Sequence, residues 1–124
     1  MIDLNGKRVF LSGPMTGHEH YNCEAFARAH ARLKEAGAYE IYDPALSWLQ
    51  GVTEGDEATH EQWVRKCLHI LTKPKHRGWD APCEPYFDFL VQLDGWETSN
   101  GAIDEYEVAR ACGIVTIELE EVFA

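Results

Sequence analysis

Short apolar strands alternate with amphipathic helices along this chain, and that alternation most narrows the folds open to it. A strand–helix–strand rhythm builds a parallel sheet with helices laid over its faces. The clearest strand is 87–93, where Phe87, Phe89, Leu90, Val91 and Leu93 are broken by few polar residues. Such a run suits a strand covered on both sides. Val9, Phe10 and Leu11 centre an earlier strand over 8–12; 40–42 reads as a short strand ending at Asp43-Pro44, and 114–118 as the last strand. A helix is expected over 22–36, with Phe26, Ala29 and Leu33 as its buried stripe, Asn22 as N-cap and Gly37 as its left-handed stop. Thr59 and Gln62 form a capping box for a second helix, whose inner face carries Trp63, Cys67, Leu68 and Leu71. A third helix covers 101–112 and stops at Gly113. Between these elements, 45–49 reads as a helical turn, 51–55 as loop, and 73–85 as a polar loop long enough to suggest a role of its own.

The 124 residues fit one domain with a core that needs no covalent staple. The expected fold is therefore α/β: a single-domain open parallel sheet over 1–124 with helices on both faces, flavodoxin- or Rossmann-like. A formal net charge of −10 argues against a polynucleotide partner, whose backbone needs a basic surface. It leaves room for a single nucleotide held by backbone N–H groups at a helix start. No apolar run is long enough to span a membrane, and the start of the chain lacks the basic-then-apolar plan of a signal peptide. A cytoplasmic location is the resulting expectation. Cys23, Cys67, Cys83 and Cys112 form no C-x-x-C pair and read as reduced thiols. Neither Cys67 and Cys83 nor His18, Glu19 and His20 show the spacing of a known metal site, so no metal is assigned.

Ligands of open parallel sheets bind beyond the carboxyl ends of the strands. Two loops there have suitable composition: Ser12-Gly13-Pro14-Met15-Thr16-Gly17, and Gly95-Trp96-Glu97-Thr98-Ser99-Asn100-Gly101. Each leads towards a helix start, where free N–H groups and the dipole favour an anion. The residues alone equally describe two tight turns. Glu105 falls early in the following helix, where the dipole is expected to favour its ionised form. An ionised carboxylate beside a sugar phosphate is what attack on an anomeric carbon requires. A solvated helix-start glutamate fits the same residues. Trp96 either walls a base pocket or packs its loop down; Asp104 and Glu107 read as surface residues.

Taken in order, several strings resemble one family. They are Val9-Phe10-Leu11-Ser12-Gly13-Pro14-Met15-Thr16-Gly17, then Asn22 and Phe26, then Asp43-Pro44-Ala45, and finally Gly95-Trp96-Glu97-x-Ser99-x-Gly101-Ala102-x-x-Glu105. Together they look like the short nucleoside 2-deoxyribosyltransferase-like proteins of phage and bacterial genomes, over most of the chain. The resemblance implies that Glu105 is the nucleophile that takes the sugar as a covalent intermediate and releases the base. Water or a second base then completes hydrolysis or transfer. It further implies a substrate site drawn from Ser12, Gly13, Met15, Asp43, Asp88, Trp96, Ser99 and Gly101. Members acting on free nucleosides tend to have aspartate where this chain has Ser99, and members acting on 5′-monophosphates tend to have serine. A carboxylate there would repel a phosphate, so a nucleoside 5′-monophosphate is the expected substrate. No cofactor is implied, and a homodimer or higher homo-oligomer is. Three positions depart from the pattern: Cys67 stands where an aspartate is usual, Asp94 where a proline is usual, and 73–85 looks inserted. The alternative that Cys67 suggests is a non-catalytic nucleotide-binding module.

Overall fold

The computed structural model describes residues 2–15, 18–46, 60–76 and 83–124. Among these described residues, four strands form one all-parallel sheet: β1 (Arg8–Ser12), β2 (Glu40–Tyr42), β3 (Phe89–Gln92) and β4 (Val115–Glu118), in the spatial order β2-β1-β3-β4. Helix α1 (Cys23–Glu35) connects β1 to β2, α2 (His60–Leu71) lies between β2 and β3, and α3 (Asn100–Ala111) connects β3 to β4. A short α4 (Leu119–Val122) follows β4. The expected single-domain open α/β sheet is what the chain forms.

Side chains alternate across a strand, so each strand feeds two cores. Val9, Leu11, Val91 and Ile117 face one side and pack with Phe26, Ala29 and Leu33 of α1 and Val122 of α4. Phe10 and Leu90 face the other side and pack with Cys67 and Leu71 of α2 and Ala109 of α3. Helices therefore cover both faces. The apolar stripe predicted for α1 is buried as expected, and so is the near-continuous centre of β3.

Element ends differ where local hydrogen bonds intervene. The strand predicted from 87 is paired with β1 from Phe89 only. Phe87 is buried but sits edge-on to Phe10, with ring centroids 5.4 Å apart. Asn22 sits at the N-cap position of α1 in the left-handed region (φ 64°), so its side chain does not cap the helix. Its Nδ2 instead donates to the carbonyl of Pro14 at 2.9 Å, tying the loop after β1 to the helix start. Gly37 (φ 96°) and Gly113 (φ 77°) are left-handed after α1 and α3, as expected of stops.

The ends of the 73–85 loop pair with each other. Pro74 and Pro85 form an antiparallel bridge, and the amide of Lys75 donates to the carbonyl of Glu84 at 2.8 Å. The loop thus leaves and re-enters the domain at one point. Thr59 of the capping box, residues 47–49 of the expected helical turn and the 51–55 loop lie outside the described residues.

Candidate active site

The strand order reverses at β1: β2 lies on one side and β3 on the other. Chains leave β1 and β3 towards opposite faces there, which opens a crevice at their carboxyl ends. Ser12 ends β1, Gln92 ends β3, and the two are Cα partners. Partners in a parallel pair project to the same face, here the one covered by α2 and α3. That shared direction brings Ser12 to Glu105, one turn into α3.

Ser12 Oγ donates to Glu105 Oε1 at 2.6 Å, and both residues are buried, Glu105 to 9% exposure. Cys67 of α2 donates its thiol proton to the same carboxylate, and the Tyr42 hydroxyl donates to Cys67 sulfur. A chain of hydrogen bonds, Tyr42 to Cys67 to Glu105 with Ser12 on the other side, thus joins β2, α2, α3 and β1. Burial pushes the Glu105 carboxyl up to about 7, against the lowering effect of the bonds from Ser12 and Cys67. Burial and the neighbouring Glu105 charge push the Cys67 thiol up to about 12, and burial chiefly raises Tyr42. Cys67 and Tyr42 therefore remain protonated donors at neutral pH.

The expectation that the helix dipole would favour the ionised form of Glu105 needs correction. Glu105 lies beyond the first turn of α3, where the dipole's effect has faded, and desolvation outweighs it. A carboxyl group poised near neutrality results.

The loops meet this centre from two sides. A Cβ on Gly13 would lie 2.8 Å from Leu93 Cβ, so any side chain there would force Leu93 or the chain after Ser12 to shift. Gly13→Ala is expected to cost about 1–3 kcal/mol through this overlap, read by chemical unfolding; a loss below about 0.5 kcal/mol would show that Leu93 yields freely. Ser99 caps α3, its Oγ accepting from the amide of Ala102 at 3.3 Å. The first turn of α3 holds Gly101 and no acidic residue, so its amides face no competing carboxylate from their own turn.

Trp96 packs its loop against its neighbours. Its Nε1 donates to Glu118 at 3.3 Å and its ring lies 4.8 Å from that of Tyr106. Asp43 is buried, with one oxygen bonded to His30 Nδ1 at 3.0 Å and the other accepting from the amide of Ala45 at 2.9 Å. It shapes the turn after β2. Met15 packs against the α1-side core. Asp88 lies at the opposite end of the sheet from Ser12, where its carboxylate accepts from the Arg8 amide at 2.9 Å. The structure thus gathers Ser12, Gly13 and Glu105 at the crevice, sets Ser99 and Gly101 at the start of the helix that carries Glu105, and leaves Asp88 away from it.

Three site residues were not read as such from the sequence. In the sequence Tyr42 is only a strand end, and Cys67 is an inner-face helix residue that departs from a family pattern. Gln92 carries a signal of its own, as the one amide inside Phe89-Leu90-Val91-Gln92-Leu93. Among the described residues, no group of three or more His, Cys, Asp or Glu side chains is placed to hold a metal ion. No helix among them is long and apolar enough to cross a membrane.

Residues 7–77, more than half of the chain, match the family described as Domain of unknown function (DUF4406). The chain belongs to this family. The match takes in β1, α1, β2 and α2, and so Ser12, Tyr42 and Cys67; it ends before β3 and before α3 with Glu105. Comparison with curated proteins and with solved structures returns no match.

Proposed function

We propose that this protein binds a nucleoside 5′-monophosphate at the β1–β3 crevice and cleaves or transfers its N-glycosidic bond through Glu105. The observation that carries the reading is the Glu105 carboxyl group, buried at the switch point and held by Ser12 at 2.6 Å. A desolvated, oriented carboxylate is a stronger nucleophile than a solvated one. The resemblance to nucleoside 2-deoxyribosyltransferase-like proteins supports the same role for Glu105 and a phosphate near Ser99 and Gly101.

In this reading a carboxylate oxygen of Glu105 bonds to the anomeric carbon as the bond to the base nitrogen breaks. The bonding pair leaves with the base, which takes a proton from water. Water or a second base then attacks the same carbon and frees Glu105. Ser12 and Cys67 hold the carboxylate in line, and their bonds weaken as its charge is consumed.

The test is to incubate the protein with deoxyribo- and ribonucleosides and their 5′-monophosphates and to follow free base by chromatography. Release from monophosphates alone is expected. Its rate should rise with pH and level off above about 7, because only the ionised Glu105 attacks. Calorimetric binding of a monophosphate without base release would favour a non-catalytic binding module, the reading to which Cys67 in place of a carboxylate points.

A further inference from the structure

Gln92 is 3% exposed, and its Nε2 has no hydrogen-bond partner among the described residues. Leaving a buried amide unpaired costs stability, and folded proteins seldom tolerate it without cause. Its surroundings make the cost more pointed. Leu90, two residues earlier on the same face, is apolar and fully buried, and so is Phe10 beside it. A leucine or methionine at 92 would continue that core.

Gln92 is the last residue of β3 and the Cα partner of Ser12, one strand spacing away, about 4.8 Å. Both side chains project to the face where Ser12 meets Glu105. Ser12 Oγ is already committed to the carboxylate, whereas the Gln92 amide keeps two N–H donors unspent. A ligand whose anomeric carbon faces Glu105 carries its sugar ring in this same layer, with hydroxyl oxygens as the nearest acceptors.

We infer that Gln92 is a binding residue that donates to a hydroxyl oxygen of the ligand's pentose. The inference rests on the proposed reading of the crevice as a sugar-phosphate site, and deepens it. The unpaired amide is then a cost of the free protein, recovered when the ligand arrives.

The test compares wild type with Gln92→Met, which keeps side-chain length and removes the amide. Calorimetry would use ribose 5-phosphate and, as a probe without a pentose, inorganic phosphate. Ribose 5-phosphate affinity is expected to fall about tenfold or more in the variant, with phosphate affinity unchanged. The unfolding midpoint of the free variant should equal or exceed that of wild type, because no internal bond of Nε2 is lost. Unchanged ribose 5-phosphate affinity, an equal loss for both probes, or no binding of ribose 5-phosphate by wild type would each overturn the inference. Base release measured alongside separates it from the glycosidic reading. Gln92-dependent binding without base release would keep the inference and defeat that reading. Base release with KM and kcat unchanged in Gln92→Met would do the reverse.

Discussion

Replacing Glu105 with Gln is expected to reduce base release by about 10⁴-fold or more while making the protein more stable above neutral pH. The amide is close to isosteric and still accepts from Ser12, but it offers no anionic oxygen to the anomeric carbon. The stability gain follows from the raised carboxyl. Its folded value of about 7 stands above the ordinary glutamate value of 4.5, so the fold prefers the protonated form. Below about pH 4.5 the group is neutral in both states and costs nothing. As pH rises from there to about 7 the folded protein must give up a proton it holds more tightly than the unfolded chain, and stability falls. The full loss is about 3 kcal/mol, reached above pH 7 and absent in the Gln variant. Chemical unfolding of both proteins at pH 5 and pH 8 reads this directly. A variant less stable than wild type at pH 8 would contradict the desolvation account, and one that still released base at the wild-type rate would remove Glu105 from the chemistry. Activity and stability moving in opposite directions is the signature of a group placed for function.

Phe10→Ala is expected to destabilise the protein by about 3–5 kcal/mol, the cost of emptying a fully buried aromatic position. Phe10 sits at the centre of β1 with no exposed surface, stacked on Tyr42 at 4.9 Å and edge-on to Phe87 at 5.4 Å. Its ring is the floor on which Tyr42 rests, and Tyr42 in turn donates to Cys67 beside Glu105. The variant should therefore also lose the ordered approach of Tyr42 to the site. Urea unfolding at pH 7 measures the first effect. A cost under about 1 kcal/mol would mean that α2 and α3 collapse into the space, and that the aromatic cluster is not what fixes their distance from the sheet.

Much of the architecture is legible in residue periodicity. Phe26, Ala29 and Leu33 repeat at helical spacing because one face of α1 must be dry, and Val9-Phe10-Leu11 is continuous because β1 is covered on both faces. Hydrogen bonds between distant segments are not legible in this way. Asn22 has the composition of an N-cap, yet its side chain serves Pro14, because the backbone there turns left-handed. The family resemblance implies a substrate residue at Asp88, yet pairing with Arg8 puts it at the amino end of the sheet.

The sequence by itself determined that a parallel α/β sheet forms, that Ser12 ends its first strand and that Glu105 falls early in the helix after the strand centred on Leu90 and Val91. Those conclusions depend on local patterns, which each segment carries whatever its neighbours do. Only the tertiary structure decided that Ser12 touches Glu105 across 93 positions, that Cys67 and Tyr42 complete the chain of donors, and that Gln92 is buried with its amide unspent. It also reversed the expected charge preference of Glu105. The helix dipole can be read from position along the chain, but desolvation depends on every element packed around the carboxyl group, and in the folded protein it is the larger effect.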